Sequence, residues 1–201
     1  MGTSIWVLLV SYLIGSISFS YWITRFMKGV DIRRHGSGNA GATNMLRVVG
    51  KGPAIAVFVL DALKGMAAVQ LAATVSGDAT LMMAAGVAAI IGHNWPVFLG
   101  FRGGKGIATT IGVTALLTLA AALITGVVAI IVILLTRYVS LGSLVFAAGL
   151  PLMIAFLDYP TSYVYLSLVI TLMAFIRHST NIRRLFKGTE SKLGSTKEQR
   201  S

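Results

Sequence analysis

Cysteine is absent from this chain of 201 residues, and acidic residues are scarce. Without cysteine there is no disulfide, no thiol nucleophile and no thiolate metal site. The six Asp and Glu residues form no cluster of the kind that holds Mg²⁺ in membrane phosphotransferases, and no His/Glu pair has zinc-ligand spacing. We therefore expect no metal and no cofactor, and a chemistry that depends on cationic side chains and backbone N–H groups.

Charge of either sign is rare, because 11% of the residues are charged while 56% are hydrophobic and the mean hydropathy is +0.83. Long uncharged stretches of this kind predict an all-α polytopic membrane protein. The alternating pattern of an outer-membrane barrel is missing. The first apolar run, Ser4–Phe26, is too long for a signal peptide and lacks a basic start and a cleavage site, so we interpret it as a retained span.

The apolar stretches predict about seven transmembrane helices. Residues 106–136 carry no charge and would extend about 45 Å as one helix, which is too long for one span. We therefore expect two short spans there, with a turn near Thr118–Ala122. The other five predicted spans are Ser4–Phe26, Pro53–Val75, Thr80–Leu99, Leu141–Leu157 and Ser162–Ile176. Residues 1–190 are expected to form one membrane domain, and residues 191–201 a polar C-terminal tail.

The basic residues predict the orientation in the membrane. With seven spans, every Lys and Arg except Lys64 falls on one side, and the other side carries only Asp78 and Asp158. The positive-inside rule places the basic loops and the C-terminus in the cytoplasm, with the N-terminus outside. The net charge of +11 then reflects topology and an anion site rather than binding to nucleic acid.

The stretch Gly36–Asn44, called the first loop below, contains three glycines, a serine, a threonine and two asparagines. Glycines allow a backbone to direct several N–H groups at one point, and short polar side chains add further donors. Arg33, Arg34, Arg47 and Lys51 flank the stretch. This composition predicts a cationic phosphate-binding loop; the alternative is a flexible, solvated loop.

A second glycine-rich basic loop, Gly100–Gly106, follows the third span and is called the second loop below. It is not a Walker loop, because only three residues separate Gly100 from Gly104 and glycine follows Lys105 in place of Ser or Thr. Lys105 is still a candidate phosphate ligand; alternatively it is an interfacial anchor whose ammonium reaches lipid headgroups. His93, before this loop, either satisfies a helix end or serves the site.

Further polar residues lie near the cytoplasmic ends of spans. His178 and Asn181 are three residues apart and share a helical face where the last span ends, so His178 is a candidate general base. Ser143, at the start of span six, is either a helix cap or a substrate ligand. Asp61 and Lys64, at i and i+3 within span two, are expected to pair and to support the first loop, because unpaired ions in lipid are costly.

In these loops the chain resembles the bacterial membrane-integral acyl-phosphate:glycerol-3-phosphate acyltransferases. The matching blocks cover nearly the whole chain in order, and they are Gly36–Asn44 with Arg47, Asp61–Gly65, Gly92–Gly106, Tyr138–Ser143, Arg177–His178 and Asn181–Leu185. Arg102 stands where lysine is expected, and it keeps the charge. The resemblance implies seven spans in the bacterial inner membrane, with the active site facing the cytoplasm.

The resemblance also implies the reaction. A fatty acyl group would pass directly, without a covalent acyl-enzyme, from acyl phosphate to glycerol 3-phosphate. The products would be lysophosphatidic acid and inorganic phosphate, in the first acylation step of phospholipid synthesis. The implied partners are these two substrates and the lipid bilayer, with no nucleic acid and no obligatory protein partner.

The implied site residues follow from the same resemblance. The acyl-phosphate headgroup would be bound by the first loop, through Ser37, Gly38, Asn39, Gly41, Thr43 and Asn44. Arg47 and Lys105 would bind the phosphate of glycerol 3-phosphate. Ser143, His178 and Asn181 would orient the attacking hydroxyl, and with Lys105 they are the expected catalytic residues. The hydroxyl proton would go either to His178 or to the acyl phosphate itself.

Two other function classes compete with this interpretation. A small transporter of an anionic phosphorylated metabolite is the main alternative, but the unbroken spans and the absence of an internal repeat argue against it. A membrane phosphotransferase would need the acidic cluster that the chain lacks. Activity that survives excess EDTA would separate an acyltransferase from a phosphotransferase.

Overall fold

The computed structural model of the protein describes residues 2–194. Within this range all regular structure is helical, with ten α-helices and two 3-10 helices, Ile32–Arg34 and Val97–Leu99. The α-helices are α1 (Gly2–Ser16), α2 (Phe19–Lys28), α3 (Ala42–Val48), α4 (Lys51–Val75), α5 (Ala79–Asn94), α6 (Ile107–Leu117), α7 (Leu119–Thr136), α8 (Val139–Phe156), α9 (Thr161–Arg177) and α10 (Ser179–Phe186). The all-α prediction is confirmed.

Five helical segments of the described chain are long and apolar enough to cross a bilayer, with α1 and α2 together forming one of them. The pair α9 and α10, bent by 61°, makes six if it counts as one span. Helix α6 is apolar but has only eleven residues, a rise of about 16 Å against a hydrocarbon core of about 30 Å. The predicted count of seven is therefore not reached, although the break at Thr118 between α6 and α7 lies within the predicted turn.

The described chain divides into two compact units, with the boundary between Val113 and Thr114. The single membrane domain expected over residues 1–190 stays a prediction. Of the predicted polar tail, residues 191–194 belong to the second unit, and residues 195–201 lie outside the described residues.

In the first unit, α1 packs against α4 and α5, and short side chains allow a close approach. A Cβ atom added at Gly15 would overlap the backbone of Ala89, and one added at Gly92 would overlap the carbonyl oxygen of Tyr12. Alanine at either glycine would therefore push α1 and α5 apart. This packing positions the C-terminal end of α5, which carries the second loop.

The first loop rests on a small apolar core that packs against α4. Its buried members are Ile32, Ala40, Met45, Ala54 and Val57. Helix α3 contacts α4, and α2 contacts both α4 and the 3-10 helix before the loop. The loop thus packs on the first turns of α4, and burial of these apolar side chains fixes its two ends.

In the second unit, α8 packs between α7 and α9, and α10 contacts both α8 and α9. A Cβ atom at Gly142 of α8 would overlap Ile133 of α7 and lie 2.8 Å from the carbonyl oxygen of Ala129. Thr171 of α9 donates its hydroxyl to the carbonyl oxygen of Ala147, at 2.6 Å. These contacts hold α8 against both α7 and α9.

Candidate active site

Asn44 is the last residue of the first loop, and it is only 1% exposed. Its Nδ2 group donates to the carbonyl oxygens of Ile32, His35 and Asn39, at 3.1, 3.0 and 2.9 Å. Its Oδ1 atom accepts a hydrogen bond from the N–H of Ser37, at 2.8 Å. The amide therefore uses its hydrogen-bonding groups on the loop and on the residues just before it. The Asn44 side chain thus holds the loop in shape, and the part of Asn44 in headgroup binding stays a prediction.

Glycine conformations complete the shape of the first loop. Gly36 and Gly38 have φ angles of +58° and +72°, which side chains disfavour. A Cβ atom at Gly36 would also overlap Oδ1 of Asn44. Within residues 2–194, no acceptor pairs with the backbone N–H groups of Gly41 and Thr43. Within this loop, the predicted ligand residues that are exposed or half-buried are Ser37, Gly38, Asn39, Gly41 and Thr43.

Arg33 has a structural role beside the first loop. Its guanidinium forms an ion pair with Asp31 (Nη2–Oδ2 2.8 Å), donates to the carbonyl oxygen of Leu99 at 2.7 Å and lies 5.2 Å from the ring centre of Tyr21. The hydrogen bonds between the two side chains lower the pKa of Asp31 and raise the pKa of Arg33, so both groups stay charged. The bond to Leu99 ties the first loop to the start of the second. Arg47, in α3, is half-buried.

The second loop folds back onto the C-terminal end of α5. The N–H of Gly103 donates to the carbonyl oxygen of Asn94 at 3.3 Å, and the N–H of Gly104 donates to that of His93 at 3.0 Å. A Cβ atom at Gly103 would overlap the carbonyl oxygen of His93. The loop therefore satisfies carbonyl groups that the helix end leaves unpaired, and only glycine fits there.

The two loops meet at Gly104. A Cβ atom at this residue would overlap Nε2 of His93 and would lie 2.9 Å from the carbonyl oxygen of Ala40, in the first loop. Lys105 follows directly and is half-buried. The structure thus brings the first loop and Lys105 to the same region of the first unit.

The predicted ion pair between Asp61 and Lys64 is present and buried. The Nζ–Oδ1 distance is 2.7 Å, and the side chains are 2% and 3% exposed. His93 lies next to both members of this pair: its Nδ1 atom is 2.9 Å from Nζ of Lys64 and 3.5 Å from Oδ1 of Asp61. His93 therefore joins a charged pair inside the helix bundle to the region where the loops meet, a link that the sequence did not reveal.

Asn94 is a further polar residue whose place the sequence did not predict. Its side chain is fully buried, and neither Oδ1 nor Nδ2 has a hydrogen-bond partner among the described residues. A Cβ atom at Gly106 would lie 3.0 Å from its Oδ1 atom. Asn94 thus presents a donor and an acceptor directly beneath the end of the second loop.

In the second unit, the carboxylate of Glu190 accepts hydrogen bonds from three polar side chains. Ser140 and Asn181 donate to Oε1 at 2.8 and 2.6 Å, and Arg184 donates to Oε2 at 2.7 Å. Burial opposes ionisation of Glu190, but the hydrogen bonds from Arg184, Asn181 and Ser140 outweigh it and lower its pKa. Glu190 therefore fixes the orientation of Asn181, and sequence reasoning missed this role because the partners lie up to 50 residues apart.

The remaining predicted catalytic residues also lie in the second unit. His178 is buried at the bend between α9 and α10, and its Nδ1 atom lies 2.8 Å from the carbonyl oxygen of Ala174. Because a carbonyl oxygen can only accept, the ring donates through Nδ1, and in the neutral form of the ring the lone pair lies on Nε2. Ser143 is half-buried, and its hydroxyl donates to the carbonyl oxygen of Val139 at 2.9 Å.

Residues 191–194 return to the turn between α7 and α8. The guanidinium of Arg137 donates to the carbonyl oxygen of Leu193 at 2.7 Å, and the N–H of Leu193 donates to the carbonyl oxygen of Arg137 at 2.8 Å. The ammonium of Lys192 lies 5.5 Å from the ring centre of Tyr138. This part of the predicted tail therefore stabilises the segment that holds Glu190.

Comparison with known proteins identifies a single family. A family model described as "Glycerol-3-phosphate acyltransferase" matches residues 5–188. A glycerol-3-phosphate acyltransferase from Halalkalibacterium halodurans is 56% identical over 200 residues, covering 96% of this chain and 97% of the relative. One from Shouchella clausii is 55% identical over 192 residues, covering 92% and 94%.

Two solved structures have the same fold. Both are of PlsY (YgiH), described as an integral membrane glycerol 3-phosphate acyltransferase. The glycerol 3-phosphate form matches with a TM-score of 0.91 and 38% identity, covering 96% of this chain and 97% of that one. The lysophosphatidic acid form matches with a TM-score of 0.88 and 37% identity, covering 97% of both chains.

Proposed function

This chain belongs to the glycerol-3-phosphate acyltransferase family of integral membrane enzymes, and we propose that its acyl donor is an acyl phosphate. In the proposed reaction, the acceptor is glycerol 3-phosphate and the products are lysophosphatidic acid and inorganic phosphate. The observation that carries the choice of donor is the first loop. It combines N–H groups without partners among the described residues, at Gly41 and Thr43, with exposed Ser37 and Thr43 side chains.

Such a loop suits a compact anionic headgroup. Backbone N–H groups that converge on one point bind phosphate oxygens without an extended docking surface. An acyl phosphate carries such a headgroup, and its chain can remain in the bilayer. We assign Ser37, Gly38, Asn39, Gly41 and Thr43 to this headgroup, and Asn44 acts by holding the loop in shape.

The acceptor carries a second phosphate, for which we assign two cationic side chains. Arg47 and Lys105 are half-buried and lie in the unit that holds both loops. Charge-assisted hydrogen bonds from Lys and Arg to phosphate are short and strong. The buried amide of Asn94, next to Gly106, supplies a further donor beneath the second loop.

The chemistry needs no covalent intermediate, because an acyl phosphate is a mixed anhydride with a good leaving group. A hydroxyl oxygen of glycerol 3-phosphate attacks the acyl carbon, the bond from that carbon to the phosphate oxygen breaks, and phosphate departs with the electron pair. The protein supplies orientation and charge stabilisation. We assign Ser143 and Asn181 to orientation of the hydroxyl. Its proton goes either to Nε2 of His178 or to the acyl phosphate.

The orientation in the membrane is also a proposal. We place the basic loops and the C-terminus in the cytoplasm, the N-terminus outside, and α6 as a short span in the bacterial inner membrane. The distribution of Lys and Arg supports this arrangement, because only Lys64 lies away from the proposed cytoplasmic side. The substrates would then be taken from the cytoplasm and from the adjacent lipid layer.

The direct test uses purified protein with glycerol 3-phosphate and palmitoyl phosphate, in excess EDTA, with detection of lysophosphatidic acid. We expect product and an equal amount of inorganic phosphate. In a parallel reaction, palmitoyl-CoA replaces palmitoyl phosphate. A comparable rate with palmitoyl-CoA would contradict the proposed donor, and loss of activity in EDTA would contradict the metal-free chemistry.

A further inference from the structure

Lys64 is a charged residue within a transmembrane helix, where an ammonium without partners is costly. Its Nζ atom lies 2.8 Å from the carbonyl oxygen of Ile17, 2.7 Å from Oδ1 of Asp61 and 2.9 Å from Nδ1 of His93. It also lies 5.7 Å from the ring centre of Phe19. The ammonium donates to the carbonyl oxygen of Ile17 and lies within hydrogen-bond distance of Nδ1 of His93, while Asp61 is its ion-pair partner. These three neighbours hold Lys64 in place.

The contact between Lys64 and His93 determines which nitrogen of the imidazole carries the proton. If the Lys64 ammonium donates to Nδ1, that nitrogen has no proton, and the neutral imidazole carries its proton on Nε2. A proton on Nδ1 would deprive Lys64 of an acceptor. A doubly protonated ring would put two cations beside the single carboxylate of Asp61, away from water. The geometry thus selects the Nε2–H tautomer.

The protonated nitrogen points to the region where the two loops meet. Nε2 of His93 occupies the space that a Cβ atom of Gly104 would need, and the carbonyl oxygen of Ala40 lies 2.9 Å from the same position. The backbone carbonyl of His93 also accepts the N–H of Gly104. His93 therefore contacts the second loop through both its ring and its backbone, one residue before Lys105.

We propose that His93 is a positioning residue for the substrate-binding loops. Asp61 and Lys64 fix its Nε2–H tautomer, and the ring fixes the distance between Gly104 and the first loop. Through Gly104 it sets the position of Lys105. The claim about Lys105 rests on the proposed function, whereas the claim about the tautomer rests on the geometry alone.

The first test measures the tautomer without any substrate. The full-length protein, labelled with ¹⁵N at histidine, contains three imidazoles, and the signals of His93 and His178 can be assigned from the H93Q and H178Q variants. We expect a proton on Nε2 of His93 and, in contrast, a proton on Nδ1 of His178. A wild-type spectrum with the proton on Nδ1 of His93 overturns the proposal.

The second test measures kinetics with acyl phosphate and glycerol 3-phosphate. Asparagine at residue 93 replaces only the Nδ1 position and glutamine only the Nε2 position, so the two variants separate the contact with Lys64 from the contact with the loop. We expect KM for glycerol 3-phosphate to rise about tenfold or more in H93N, and by a smaller factor in H93Q. KM for the acyl phosphate should change less in both.

A control variant separates positioning from general stability. Ser11 is also buried, and its hydroxyl has no partner among the described residues, so S11A should leave both KM values unchanged. Thermal unfolding in detergent reports whether each variant is folded. Folded H93N and H93Q proteins with wild-type KM values for glycerol 3-phosphate would overturn the positioning role. If the wild type made no lysophosphatidic acid, the proposed function would fail, and the tautomer would still be measured.

Discussion

Replacement of Asn44 by alanine tests whether this residue shapes the first loop. The change removes four hydrogen bonds, three to carbonyl oxygens and one from the N–H of Ser37. At about 0.5–1.5 kcal/mol each, their loss weakens the loop conformation by about 2–6 kcal/mol. The helices of the first unit pack through other contacts, so the protein should remain folded while the loop loses its order.

The kinetic effect of Asn44→Ala depends on the fraction of protein molecules in which the first loop is formed. The apparent affinity for a ligand falls in proportion to the fraction of protein that has the binding conformation. A loss of about 1.4 kcal/mol in that equilibrium corresponds to about tenfold. We therefore expect Asn44→Ala to raise KM for the acyl phosphate at least about tenfold, and more than it raises KM for glycerol 3-phosphate.

Hydrogen exchange provides the structural assay. The amides of residues 36–44 should exchange faster in Asn44→Ala than in the wild type, while those of α4 should not change. Asn39→Ala is the matched control, because only the backbone carbonyl of Asn39 takes part in the network, and it should leave exchange unchanged. Wild-type exchange in residues 36–44 together with unchanged KM values would refute the assignment of Asn44.

Four other predictions follow from the same structure. Lys105→Ala should raise KM for glycerol 3-phosphate at least tenfold through loss of a charge-assisted contact worth about 1.5–3 kcal/mol, and an effect confined to the acyl-phosphate KM would mean that the two phosphate sites are exchanged. His178→Gln should mainly lower kcat, by about 10²–10⁴ if His178 is the general base, and an unchanged kcat would favour the substrate as the base. The pKa of Glu190 is lowered in the folded protein, so ionised Glu190 stabilises the fold fully above its unfolded pKa of about 4.3. This stabilisation is lost as pH falls through the folded pKa. The unfolding temperature of Glu190→Gln should therefore lack this acid dependence, and a pH profile identical to that of the wild type would contradict the prediction. Because the chain lacks cysteine, single introduced cysteines can report the membrane topology. Asp78→Cys should react with an impermeant thiol reagent added outside, and Arg102→Cys should not. Outside labelling at residue 102 would reject the proposed orientation.

The sequence alone determined the class of the protein and several local features. Long uncharged stretches can be stable only as helices in lipid, so the all-α membrane fold was predictable. The glycine content of both loops indicated their unusual backbone conformations. The pair Asp61 and Lys64 was predictable because residues at i and i+3 face the same side of a helix, and the helix break near Thr118 followed from the length of the uncharged stretch.

The tertiary structure decided which polar side chains form hydrogen bonds and ion pairs inside the protein. Asn44 is a residue type that often binds ligands, but the fold surrounds its side chain with the carbonyl groups of Asn39 and of two residues just before the loop. His93 meets Lys64 from 29 residues away, and Glu190 meets Ser140 from 50 residues away. Such contacts have no periodic signal in the sequence, because they depend on how helices pack and where the chain turns back. The role of each polar residue was therefore set by the long-range packing that buries it.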